Sequence, residues 1–319
     1  MMKRILIGLA VLVLVGAGAT ALLIWGSQED VVAERPEIPF APRSDPSIRD
    51  PDNPTKTFHV DFATVERDFP LSRADLMKLT PASFHGLTQE EVDQVYAGLT
   101  AGPVPDGPYE GDLFFARGGD TALVPRLQEI VGGLEGRIAG EKLELLEKVG
   151  RALWKGKLFY RDDRLLRNFI DDFAPLRPLL DSPDTLPTAD VPRKGWLKAI
   201  RPTTEVWLLF PAKLYCGQSL LDGRRESIII DYAYNDELPD YRASPDSIAG
   251  RGGLRIRDEI RMVRPGFYLG RAYARGIFLL NFTLYNAAVA DKAADGFANV
   301  GAIAEDCWTG EQIRQAGVQ

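Results

Sequence analysis

Thiols and imidazoles are scarce in this chain: Cys216, Cys307, His59 and His85 are all that its 319 residues hold. Two cysteines exclude a zinc site built on paired thiolates, and two histidines leave little for a histidine-rich metal centre. Neither G-x-S-x-G nor H-E-x-x-H occurs, so the nucleophile elbow and the zinc-protease helix are both missing. His85 follows Ser83 and Phe84 with no acid or nucleophile in its local sequence, and no triad is read there. Basic residues are spread along the chain, and 38 Lys and Arg are outnumbered by 45 Asp and Glu, for a net charge of −7. Nucleic-acid binding needs cations massed on one face, so nucleic acid is not an expected partner. No metal and no cofactor is implied.

Hydrophobic residues make up 45% of the chain, enough for a substantial core. The longest uncharged run is N-terminal, from Ile5 to Trp25, preceded by Lys3 and Arg4 and followed by Glu29 and Asp30. As a helix it would reach roughly 30 Å, the thickness of a hydrocarbon core. Positive charge before the span and negative charge after it predict an N-in, C-out topology. The run continues past the small residues Ala17, Ala19 and Ala21 through Leu22 to Trp25, which favours an anchor over a cleaved signal peptide. The expectation is therefore a single-pass protein of the inner membrane. The lipid bilayer is its partner through residues 5–25, and the body is periplasmic. Gly16, Gly18 and Ala21 mimic a dinucleotide fingerprint, but no helix of useful length follows them.

The spacing divides the chain into a signal-anchor helix (1–26), a proline-rich linker (27–55), a mainly helical region (56–153), an antiparallel β region (154–286) and a C-terminal tail (287–319). In the linker, Pro36, Pro39, Pro42, Pro46, Pro51 and Pro54 fall among charged and small residues, a semi-rigid spacer. Thr88 and Glu91 form a capping-box pattern ahead of Val92, Val95, Tyr96 and Leu99, which predicts a helix. A short strand is expected over 112–117, with helices over 121–131 and 141–153. Strands follow over 157–160, 165–170, 205–216, 227–234, 254–263, 267–275 and 277–285, with Asp222-Gly223 marking a hairpin. The predicted fold class is α+β, with an antiparallel meander or lipocalin-like barrel in the C-terminal half, closure being how such sheets dispose of their edges.

Several short motifs occur in a family-like order: Trp154-Lys155-Gly156-Lys157-Leu158-Phe159, then Ile230-Asp231-Tyr232, then Asp258 to Val263, then Leu269-Gly270. Together they resemble the bacterial GXWXG/DUF4334 proteins. Gly107-Pro108-Tyr109-Glu110-Gly111 stands where that family has its G-x-W-x-G element, with a tyrosine in place of the tryptophan. The resemblance implies a small lipocalin-like β-barrel and no chemistry.

Within the strand over 254–263, Leu254, Ile256, Ile260 and Met262 alternate with Arg255, Arg257, Glu259 and Arg261, and Asp258 falls on the apolar face. A carboxylate there must be paired, hydrogen-bonded or protonated. A two-residue turn at Pro265-Gly266 would bring Leu269, Arg271 and Tyr273 to its face, with Arg271 diagonal to Asp258. A three-residue turn would bring Tyr268 and Ala272 instead. Asp258 is then either a buried pair that fixes register or the polar anchor of a ligand cavity, with Arg271 and Tyr273 beside it. Asp231, Lys213 and Tyr215 are further candidates of the same kind, with water-facing strand ends as their alternative. The long Asp-, Pro- and Gly-rich segment 235–253 is a lid or an insertion. Cys216 and Cys307 could bridge in an oxidising compartment or remain buried thiols.

Three functions fit these features. The leading one is an exported, membrane-anchored binding protein for a hydrophobic or amphipathic small molecule in a barrel cavity. The second is a hydrolase or isomerase acting on a lipid-like substrate with Asp258 as acid or base. The third is a structural envelope protein with a packed core.

Overall fold

A computed structural model describes residues 35–42, 61–117, 154–172, 174, 177, 182–193, 199–300 and 307. The expected span over 5–25 and the helices expected over 121–131 and 141–153 lie outside these residues. Among the described residues, no helix is long and apolar enough to cross a membrane.

Among the described residues, nine strands build the body: β1 (Gly107–Phe114), β2 (Trp154–Tyr160), β3 (Leu165–Ile170), β4 (Thr188–Pro192), β5 (Thr203–Gln218), β6 (Glu226–Asp231), β7 (Ile256–Arg264), β8 (Phe267–Ala274) and β9 (Ile277–Tyr285). Their order is β3-β2-β1-β9-β8-β7-β6-β5-β4, and a further β3–β5 pairing closes eight of them into an antiparallel barrel. Closure runs through the long strand β5. Lys213 lies between Leu165 of β3 and Asp231 of β6, while nearer the start of β5 Trp207 lies between Ile170 of β3 and Thr188 of β4. β4 therefore extends the edge that β6 leaves open, and was not apparent from the alternation pattern. β1 lies within the region expected to be mainly helical, yet it seals the barrel between β2 and β9.

The β7–β8 hairpin settles the register. Arg264 pairs with Phe267 across Pro265-Gly266, but Met262 already pairs with Tyr268, so Val263 is an extra residue in a bulge. Gly266, at φ +77°, also lets the turn pass against a final helix, α4 (Ala287–Val300): a Cβ there would come within 2.5 Å of the Ala290 nitrogen. The bulge sets Asp258 opposite Ala272, and Glu259 opposite Arg271.

Helices cover the outer face of β7 and β8. Ahead of the barrel lie α1 (Phe62–Asp68), capped by Asp61, α2 (Arg73–Lys78), closed by a Ser72–Asp75 capping box, and α3 (Gln89–Gly98), whose Thr88–Glu91 box forms as its sequence predicts. Val92, Val95 and Tyr96 of α3 pack with Val263, Phe267 and Leu269 of the barrel wall. Arg261, on that same wall and fully buried, donates to the carbonyls of Tyr96 (3.0 Å), Asp222 (3.0 Å) and Arg225 (2.8 Å) and to Ser227 Oγ (3.0 Å). It thereby ties the last turn of α3 to the segment that leads into β6.

Inside the barrel the two ends differ. At one end Tyr109, Phe159 and Tyr268 interlock edge to face, and Ala101 and Val104 join them in the same packed cluster. The Tyr268 hydroxyl donates to the Pro103 carbonyl at 2.7 Å. At the other end the strands enclose a cavity.

Candidate ligand-binding site

The cavity measures about 190 Å³ and is lined by apolar side chains from both sides of the barrel, among them Leu113, Trp154, Ile170, Phe210, Leu280 and Phe282. The segment after β6 folds over this end and contributes Ile248, Ala249 and Leu254. Buried Asp246 holds that segment down. It accepts the Phe210 amide of β5 at 2.8 Å and the Arg242 amide at 2.9 Å. The Asn235 side chain donates to the Asp246 carbonyl at 2.6 Å. Burial pushes the Asp246 carboxyl above its ordinary range.

Four polar side chains interrupt the apolar lining: Lys157, Asn168, Tyr232 and Asp258. Each is at least nine-tenths buried. The Lys157 ammonium donates to Asn168 Oδ1 at 2.9 Å, to the Tyr232 hydroxyl oxygen at 2.7 Å and to Asp258 Oδ2 at 3.0 Å. Those three acceptors use all of its donors. It also lies 5.4 Å from the Trp154 ring centroid and 5.3 Å from those of Tyr232 and Phe282, within cation–π range. Asn168 in turn accepts from Trp154 Nε1 at 2.9 Å, and its amide donates to the Phe210 carbonyl (3.2 Å) and to Tyr232 (3.0 Å).

Two local features of β1 and β2 make this arrangement possible. A bulge between Trp154 and Gly156 turns both Trp154 and Lys157 inward, although three positions separate them. Gly111, across on β1, leaves the space that the Trp154 ring fills: a Cβ there would meet it at 2.1 Å.

Burial pushes the Asp258 carboxyl above its ordinary value, against the pull of the Lys157 ammonium. Burial opposes charge on Lys157 too, but Asp258 and Tyr232 hold it above its usual value, so it remains protonated. The Tyr232 hydroxyl is pushed up to about 12, chiefly by burial. Neither Lys157 nor Tyr232 is thus an activated nucleophile at neutral pH.

Of the residues singled out in the sequence, Asp258 lies on the cavity wall and the other five do not. Arg271 and Tyr273 are corrected by the Val263 bulge, which turns them to the outer face. There Arg271 pairs with Asp93 of α3, donates to Tyr273 Oη at 2.9 Å and stacks 4.2 Å from the Phe278 ring centroid. Asp231, Lys213 and Tyr215 belong to the outer surface of β5 and β6, where Tyr215 donates to Asp231 at 2.8 Å and Lys213 pairs with Glu237 at 2.7 Å. His85 has an acid partner that its local sequence hides, Asp112 of β1 at 2.7 Å, which raises the imidazole pKa. Lys157, Asn168, Tyr232 and Trp154 went unread as site residues. The available signal was Asp258 itself: a cation is one of the partners that a carboxylate on an apolar face can take, and Lys157 stands in another apolar strand. The two cysteines are bridged, joining β5 to residue 307 across 91 positions.

Comparison with family models, with curated proteins and with solved structures returned no match to this chain.

Proposed function

We propose that this chain is a membrane-tethered, exported binding protein that carries a small hydrophobic or amphipathic molecule in the open half of its barrel. The observation behind this reading is the cavity itself: about 190 Å³ of apolar-walled space with a buried carboxylate on its wall. Protein interiors are otherwise close-packed, and a scaffold with no ligand to hold gains nothing from such a space. An apolar cavity of about 150 Å³ accommodates benzene. The occupant is accordingly a compact molecule, or one end of a longer one, rather than a whole lipid.

Export is supported by the Cys216–Cys307 bridge, since disulfides persist in oxidising compartments. The tether rests on the uncharged run 5–25 and the charges flanking it. One experiment tests both parts. Membranes containing the full chain are washed with alkaline carbonate, extracted in mild detergent and examined by native mass spectrometry. The chain should stay with the membranes and fly with one small molecule attached. Ala272→Phe, which fills the cavity opposite Asp258, should fly without it. Release by carbonate would remove the tether, and an unchanged adduct on the Phe variant would remove the cavity as its site.

A second reading, an enzyme using Asp258 to move a proton, is favoured by the upward shift of that carboxyl beside a cavity. The two readings part on Asp258→Asn. A carrier would hold the same mass as before, whereas a hydrolase stalled at proton transfer would accumulate a substrate of different mass and an isomerase an isomer separable from the original adduct by chromatography.

A further inference from the structure

Lys157, Asn168, Tyr232 and Trp154 spend their donors on one another or on neighbours, so the polar patch offers the cavity almost nothing to accept from. The ammonium has three acceptors. Both amide hydrogens of Asn168 are placed on Phe210 and Tyr232, and the indole N–H of Trp154 is placed on Asn168. The Tyr232 hydroxyl lies 3.5 Å from Asp258 Oδ2, the one acceptor left to it. By contrast, the second carboxylate oxygen of Asp258, Oδ1, has no hydrogen-bond partner among the described residues, on a side chain that is 7% exposed and lines the cavity. An acceptor left free on a cavity wall is available to a donor on whatever occupies the cavity.

Charge narrows the choice further. Lys157 and Asp258 form a closed pair whose sum is zero. An ammonium ligand reaching Oδ1 would bring a second cation beside Lys157, and a carboxylate ligand would face Asp258 with no free donor to receive it. Neither charge would be compensated in a site this dry.

Resting on the binding reading above, we infer that the cavity selects an uncharged molecule carrying a hydroxyl or N–H group, which donates to Asp258 Oδ1 while its apolar body lies against Trp154 and Phe282. Small alcohols, phenols and amides satisfy this chemistry; amines and acids in their charged forms do not.

Four near-isosteric probes test the inference on the full chain in detergent, by calorimetric titration: benzyl alcohol, toluene, benzylamine and benzoate. Benzyl alcohol should bind at least ten-fold more tightly than any of the other three. Because Asp258→Leu alone would strand Lys157 and could unfold the barrel, the comparison uses Lys157→Met/Asp258→Leu, which replaces the pair as a unit. That variant should keep toluene and lose the preference for the alcohol. Equal or tighter binding of toluene, benzylamine or benzoate to the unaltered chain overturns the inference while leaving a binding cavity in place. So does a preference for the alcohol that persists in the double variant. If none of the four binds, the cavity reading falls and the inference with it.

Discussion

At the scale of single residues, Lys157 and Asp258 each make the other tolerable. Removing one partner of a buried pair leaves an uncompensated charge, at a cost of about 3–5 kcal/mol, whereas replacing both with apolar groups is often near neutral. Lys157→Met should therefore lower stability by about that amount in urea denaturation, and Lys157→Met/Asp258→Leu should recover most of it. The pH dependence has a definite sign. Asp258 has a folded-state pKa above its unfolded value, near 3.9. Its contribution is thus fully present below the unfolded value and is lost as pH rises through the folded one. Lys157→Met removes the cation that restrains this shift, so the variant's deficit should shrink on acidification from neutral pH. A deficit that stays constant between pH 7 and pH 4 would contradict a buried ionised Asp258. Part of this was legible beforehand. Alternation placed Asp258 on the inner face of β7, and burial called for a cation, a hydrogen-bond donor or a proton beside it. The identity of that cation was not legible, because Arg271 and Lys157 both stand in apolar strands and the choice turns on two bulges.

Among the elements, the segment over 235–253 is held to the barrel at several points, through Arg167 to the Pro239 carbonyl and Asp240, Lys213 to Glu237 and Arg242 to Thr185, and the buried Asp246 ties it to β5. Its carboxylate joins the segment to Phe210, where β5 bends through a positive φ of 50°. Asp246→Ala leaves two part-buried amides without acceptors, at a cost of up to roughly 1–3 kcal/mol each. Hydrogen exchange at Phe210 and Arg242 should accelerate in that variant, and any cavity ligand should dissociate faster, while the β7–β9 hairpins stay protected. Uniform loss of protection would mean that the lid and barrel unfold as one unit. The strands themselves were readable where alternation is clean: β3 and β9 have the bounds that their sequence predicts. β1 was harder, since Gly107-Pro108 reads as a turn, and its partners lie some 40 residues or more downstream in β2 and β9. The outer face of β7 also defeats a purely local reading. Arg257, Glu259 and Arg261 look like a solvated edge, but Glu259 and Arg261 are fully buried and saturated with local and helical partners.

For the whole molecule, the disulfide adds a constraint that the barrel cannot supply, fastening residue 307 to β5 across 91 positions. A loop of that length is expected to contribute on the order of 4 kcal/mol through the unfolded state. Cys216→Ser, or reduction of the unaltered chain, should lower the unfolding free energy obtained from urea denaturation by an amount approaching that figure. The same change in both samples would assign the loss to the bridge rather than to the serine. Cavity and lid, at the far end of the barrel from the Tyr109–Phe159–Tyr268 plug, should keep their ligand preference in either sample. Closure was one of two outcomes the strand pattern allowed, beside an open meander, and the strand number was not legible; the presence of empty space depends on side-chain volumes summed around a ring, which no linear pattern reports.

Val263 decides more than its own position. Were that one surplus residue paired across the hairpin instead of bulged out of it, β8 would slide by a single step against β7, and every side chain along it would change sides. Tyr268, Gly270 and Ala272 would turn out toward the helices, and Leu269, Arg271 and Tyr273 would turn in. A hairpin zipped without the bulge would then carry a guanidinium indoors, and a compartment built for neutral guests would become a receptor for anions.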